Sequence, residues 1–140
     1  MEIKVRYLGG KRFEMSARGH SVVSDQPFEN DGADSAMTPP ELFLSSLGAC
    51  AGFYASEYLR ARGLDTESLE VRVSGKKGEK PVRITSIDVE VSVPGLSERD
   101  REGIVRAVNR CLLKQTLLVP PQIEVRLTTG ALDNEPILVG

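Results

Sequence analysis

Apolar and polar positions alternate in several short runs along the chain. Ile3, Val5 and Tyr7 lie on one face of the run from Glu2 to Leu8, which predicts a half-buried strand. Gly9-Gly10 marks a turn, and Lys11 to Ala17 predicts the second arm of a hairpin. A third short strand is expected from His20 to Asp25. From Gln26 to Met37 the chain is polar, with Pro27, Asn30, Asp31, Gly32 and Asp34, and predicts a mobile loop. Leu69, Val71 and Val73 alternate again. Gly75 to Lys80 reads as a charged turn, and Val82 to Val93 as a long strand that pairs back as a hairpin. Ile123, Val125 and Leu127 predict a last strand, and the tail from Gly130 a loop with an extended end.

One stretch departs from alternation. From Thr38 to Gly63 nearly every side of a helix would be apolar, with Leu42, Phe43, Leu44, Leu47, Phe53 and Tyr54 among the residues involved. Thr38 suits an N-cap, Pro39 the first helical position, and Glu41 completes a capping box. Arg60, Arg62 and Gly63 mark the stop. The run is too short and too polar to span a bilayer, so it predicts a central helix with Cys50 near its middle. Gly48, Ala49, Ala51 and Gly52 flank that cysteine and permit close approach of another element, or of a ligand, to the sulfur. A second helix is expected after Ser97, with Asp100 as a weaker box partner. Its apolar stripe runs through Ile104, Val105, Val108, Leu112 and Leu113, with Cys111 at the end. A short further helix over Leu112 to Val119 stops at Pro120-Pro121. Strands and helices that do not alternate one by one predict an α+β fold with an antiparallel or mixed sheet.

The chain has 140 residues, which suggests a single domain over 1–140. Its net charge of −2 points away from nucleic acid and from anionic membranes. No apolar leader precedes the first strand, so a cytoplasmic location is expected. There a lasting structural disulfide is disfavoured, and paired thiols lean towards redox or metal chemistry. Cys50 and Cys111 are the only two cysteines, so one intramolecular bridge is possible. Closing the long loop between them would stabilise the fold by roughly 4 kcal/mol.

Thiol chemistry needs a thiolate, and a free cysteine near pKa 8.5 is mostly protonated at neutral pH. Cys50 lies deep within its helix, so the helix dipole helps little and apolar surroundings would raise the pKa. A reactive Cys50 therefore requires a cation from elsewhere in the chain. The alternative is that Cys50 is simply a small apolar core residue. His20 is the only histidine, and no zinc-ligand spacing, G-x-S-x-G elbow, phosphate loop or dinucleotide fingerprint is present. No metal or organic cofactor is expected.

GHSVVSD (Gly19 to Asp25), TPPELFLSSLGAC (Thr38 to Cys50), the strand pair and the second cysteine together resemble the OsmC/Ohr family of thiol-dependent peroxidases and its OsmC-like relatives. The resemblance implies an OsmC-like fold with two long central helices and an intertwined homodimer with two sites at its interface. It matches Cys50 to a peroxidatic cysteine and Cys111 to a resolving one, with an organic hydroperoxide as substrate. A small dithiol, of the lipoyl type, is the implied reductant. Arg18 would stabilise the thiolate and Glu41 would orient the arginine, with Arg12 a competing cation. In the peroxidases the glutamate place falls at Pro40 and the arginine place at Ala17, so Glu41 and Arg18 each stand one residue late. Leu112 stands where a proline often follows the second cysteine. This pattern is closer to the OsmC-like branch, which leaves a non-peroxidase module, binding a small ligand or sensing redox state, as the alternative function.

Overall fold

The computed structural model describes residues 1–132 and is of the α+β class. From residue 133 onward the expected extended tail lies outside the described residues. Residues 1–39 and 122–132 belong to one compact unit, and residues 40–121 to a second.

The first unit is built on a three-stranded antiparallel sheet, β1 (Lys4–Gly9), β2 (Arg12–Ala17) and β3 (His20–Ser24), in that order. Pairing of Val5 with Met15, and of Met15 with Val22, puts the alternating apolar residues on one face. Tyr7 pairs with Phe13 on the same face, their ring centroids 5.4 Å apart. Val5, Tyr7, Phe13 and Val22 nevertheless remain exposed, so that face is largely uncovered in the single chain.

The β2–β3 connection has two central residues, Arg18 and Gly19, at φ 52° and 81°. Two positive φ values are what a type I′ hairpin turn needs. Arg18 therefore occupies a turn, not the start of a strand, and its side chain is exposed.

The expected mobile loop is instead tied down. Asp25 is fully buried, and its carboxylate accepts from the Gln26 amide (2.8 Å), the Ser35 amide (3.0 Å) and the Ser35 hydroxyl (2.6 Å). Its own amide donates to the Met37 carbonyl at 3.1 Å. Between these anchors runs one turn of 3-10 helix, Phe28–Asn30. A side chain at Gly32 would run into the Gln26 carbonyl, so only glycine lets the loop close on itself. Polar composition misled here because the polar groups satisfy one another.

The second unit begins with α1 (Pro39–Ala61). The hairpin of β4 (Glu70–Glu79) and β5 (Val82–Ser92) follows, then α2 (Glu98–Val108) and α3 (Leu112–Leu118). The residues expected as a charged turn mostly continue β4, and the turn itself is Lys80-Pro81. Register pairs Val71 with Val91 and Val73 with Val89. Gly48 and Gly52 of α1 receive this hairpin, because a methyl at Gly48 would lie 2.9 Å from Val73 Cγ2 and one at Gly52 3.5 Å from Val71 Cγ2. The small residues around Cys50 thus admit a strand. Ala55, Leu59 and Ile104 form the buried cluster between α1 and α2, with Tyr58, Leu69, Val91 and Val108 packed around it. Ser97 caps α2, its hydroxyl accepting from the Asp100 amide at 3.2 Å.

The helix that reads as apolar all round is covered on one stripe only, Leu47, Ala51, Ala55 and Leu59. Phe43 and Phe53 stay 41% and 59% exposed. The expected strand at Ile123, Val125 and Leu127 is a further correction. Those residues form no strand, and they are 82%, 94% and 94% exposed. Their alternation is a genuine strand pattern, but a strand exists only when another pairs with it, and none does among the described residues.

Candidate functional site

Cys50 sits midway along α1 and is half-buried. On a regular helix it points within about 20° of Phe43 and about 40° of Tyr54, so it belongs to the uncovered apolar side. Phe53 and Tyr54 meet edge to face there, with centroids 5.5 Å apart. Cys111 is 1% exposed. It lies three residues past the end of α2, not on that helix, and occupies the N-cap position of α3. The link between the helices is tight. The Cys111 amide donates to the Val108 carbonyl at 2.9 Å, and the Gln115 amide to the Cys111 carbonyl at 3.0 Å. The Gln115 side chain adds a bond to the Asn109 carbonyl at 2.8 Å.

This turn brings the two sulfurs together. Both cysteines are free thiols, and their side chains are near enough to influence each other's titration. Burial pushes the Cys111 thiol above its ordinary value, and the neighbouring Cys50 side chain pushes the same way. The backbone N–H groups of Lys114 and Leu113 favour the Cys111 thiolate but do not offset burial. Cys111 is the more buried of the two, beside the half-buried Cys50. A groove of about 930 Å³ opens on the Cys111 side of the pair. Ala51, Ile87, Val91, Ile104 and Val108 are among its walls, and its charged lining residues are Arg101 and Lys114.

The ionic residues expected at the site are placed differently. Glu41 lies in the first turn of α1 and is exposed. Nine residues along one helix put it about 13 Å from Cys50 along the axis and on the opposite side. Position 40, one residue earlier by number, would sit about 100° away from that direction. Arg18 belongs to the first unit, in the β2–β3 turn. Among the described residues no group of three or more His, Cys, Asp or Glu is arranged to hold a metal ion.

A family model described as OsmC-like protein matches residues 32–126, which takes in α1, the β4–β5 hairpin, α2, α3 and both cysteines. The chain belongs to the OsmC-like protein family. The protein YhfA of Escherichia coli K12 is 27% identical to this OsmC-like chain over 111 residues, covering 78% of this chain and 79% of YhfA. A structure of a proposed osmotic stress induced and detoxification response protein from Psychrobacter arcticus 273-4 superposes with TM-score 0.75 at 19% identity, covering 81% and 85% of the two chains. An OsmC like protein from Mycoplasma pneumoniae gives 0.70 at 20% identity, over 84% and 86%. The organic hydroperoxide resistance protein OhrB of Bacillus subtilis gives 0.57 at 16% identity, over 83% and 90%. At such identities the superpositions establish a shared fold.

Two polar clusters escaped the sequence reading. Asp25 was legible only as the last residue of a short strand, and its bonds to the Gln26 amide and to Ser35 ten positions ahead were not. Asp100 was legible as a box residue of α2, but its bonds to Tyr58 of α1 and to Arg62 just beyond that helix were not. No helix among the described residues is long and apolar enough to cross a membrane.

Proposed function

We propose that this OsmC-like protein is a cysteine-based peroxidase that reduces organic hydroperoxides. The observation that carries the reading is the thiol pair itself: a half-buried Cys50 beside a buried Cys111, both free. In the first step the Cys50 thiolate attacks the terminal peroxide oxygen. The O–O bond breaks, the alkoxide takes a proton and leaves as an alcohol, and Cys50 becomes a sulfenic acid. Cys111 then attacks the sulfenic sulfur, an S–S bond forms and water leaves. A small dithiol of the lipoyl type restores both thiols and departs as its own disulfide. The exposed rings of Phe43 and Phe53 suit an alkyl chain.

Arg18 is proposed as the cation that stabilises the Cys50 thiolate, and Glu41 as the residue that orients it. Glu41 points away from Cys50 on its own helix, so we propose that a second copy of the chain supplies it. The same reading makes the protein a homodimer acting in the cytoplasm. The uncovered apolar side of α1 and the uncovered face of the β1–β2–β3 sheet support it, since large apolar patches rarely face water in a monomer. Phe53→Glu should shift the mass measured by light scattering from dimer to monomer. A monomeric parent at micromolar concentration would refute the assembly.

A second reading, a non-peroxidase module that binds a small ligand or senses redox state, is favoured by one observation. Glu41 and Arg18 each stand one position from the peroxidase pattern, and one position turns a helical side chain by about 100°. Free thiols counted before and after one equivalent of cumene hydroperoxide separate the two. Rapid loss of both thiols per chain supports the peroxidase. Slow loss, or loss through bridges between chains on a non-reducing gel, supports the module.

A further inference from the structure

Asp100 is 7% exposed, yet it gathers four hydrogen bonds. Its Oδ1 accepts from the Tyr58 hydroxyl at 3.0 Å and from Arg62 Nε at 3.1 Å. Its Oδ2 accepts from the Ser97 hydroxyl at 2.9 Å, and its amide donates to that hydroxyl at 3.2 Å. Capping of α2 needs only the last of these. The other partners are Tyr58 on α1 and Arg62 just past its end, four residues apart. The helix α2 makes room for them, since any side chain at Gly103 would collide with the Tyr58 ring. The clamp thus joins the two helices that bear on the thiols. Cys50 precedes Tyr58 on α1, and Cys111 lies three residues past the end of α2. Along the two helices, Ala55 and Ile104 of the apolar cluster lie between clamp and thiols. Apolar burial is non-directional and tolerates small slides, whereas hydrogen bonds are not tolerant of them. Disulfide closure is not tolerant either, because the Cα–Cα separation must fall in a window about 2 Å wide.

We infer that Asp100, Tyr58 and Arg62 are positioning residues that set the register of α1 against α2 and so the approach of Cys50 to Cys111. The inference rests on the thiol chemistry proposed above. Its consequence is measurable as the effective concentration of one thiol towards the other.

Reduced protein is equilibrated in buffers of oxidised and reduced glutathione. Each disulfide that closes consumes one oxidised glutathione and releases two reduced molecules, so the midpoint reports that effective concentration. Tyr58→Phe deletes one oxygen and leaves the ring in place. Asp100→Asn removes the charge and keeps the shape. Both should lower the effective concentration at least about fivefold, the loss of about one hydrogen bond. Glu102→Gln, on the solvent side of α2, should leave it unchanged. A role confined to stability would lower the melting temperature and leave the glutathione midpoint where it was, and that result overturns the inference. If Asp100→Asn fails to fold, the midpoint of Tyr58→Phe decides alone. A parent chain that closes no Cys50–Cys111 disulfide overturns both this inference and the reading beneath it. A parent that closes it, with a Tyr58→Phe midpoint equal to its own, overturns the inference only.

Discussion

Arg18 occupies a backbone position that suits its side chain badly, and Arg18→Asn tests why it is there. Both central residues of the β2–β3 turn have positive φ, 52° at Arg18 and 81° at Gly19. Asn-Gly is the pair such turns prefer, because asparagine visits the left-handed region at little cost. An ordinary L-residue there costs roughly 1–2 kcal/mol. Replacing Arg18 by asparagine should recover about half or more of that, and it gives up little packing because the arginine is exposed. For a chain of this size, about 1 kcal/mol raises the melting temperature by roughly 3–4 °C.

Activity should move the other way. A cation within about 4–6 Å lowers a thiol pKa by one to three units, which takes the thiolate at neutral pH from a few per cent to a majority. Loss of that cation should slow consumption of cumene hydroperoxide at least about tenfold. The assays are a thermal melt and a peroxide-consumption time course on the same preparation. The pH dependence of Cys50 alkylation in a Cys111→Ser background adds a direct view of the thiol. A variant that melts lower than the parent refutes the backbone argument. A variant that melts higher and consumes peroxide at the parent rate refutes Arg18 as the cation, and the binding-module reading gains by it.

Three other measurements follow from the geometry. Gly48→Ala should destabilise by about 1–2 kcal/mol in urea unfolding, because its methyl would press on Val73 at 2.9 Å, whereas Gly52→Ala, at 3.5 Å from Val71, should be neutral or stabilise by up to about 1 kcal/mol. The Asp25 carboxyl is held down to about 2 from 3.8, chiefly by the Ser35 hydroxyl and amide, so its contribution is complete above about 4 and disappears as the pH falls towards 2; Asp25→Asn should flatten that part of a melting-temperature profile, and an unchanged profile would count against the clasp. Iodoacetamide, followed by mass spectrometry of the tryptic peptides, should modify Cys50 before Cys111 between pH 7 and about 9, since Cys111 is buried and its burial raises the thiol pKa.

The elements that were legible are those whose signals are local. The alternation in β1, β2, β3 and β5, the Ser97 cap and the stop at Gly63 each depend on residues a few positions apart, and each stands close to where it was read. The failures depend on residues brought together from a distance. The loop from Gln26 to Met37 looked mobile because its polar residues were read singly, whereas Asp25 reaches ten positions ahead to Ser35. The charge run at Lys76 and Lys77 looked like a turn, but pairing with Ser86 and Ile84 extends the strand through it. Ile123 to Leu127 shows the limit from the other side: a strand pattern specifies a face and a period, but not the neighbour that makes it a strand.

The candidate site follows the same division. Cys50 could be placed on α1 from the sequence because capping, proline and apolar spacing are all local. Its pairing with Cys111 came only from the family resemblance, because the turn at Asn109 to Cys111 that follows α2 has no local signal. That turn also explains why Cys111 is not a simple continuation of the α2 stripe. On the helix it would have faced wherever the period took it, whereas at the α3 N-cap it is buried against its partner. The apolar excess of α1 was legible as well, and the structure shows where it goes. Sheet and α2 cover the Leu47, Ala51, Ala55 and Leu59 side, and the surplus lies beside Cys50. A surplus of that kind gains nothing in free energy while it faces water. Its position next to the accessible sulfur ties whatever covers α1 to whatever reaches the thiol, so assembly and chemistry should fail together in Phe53→Glu.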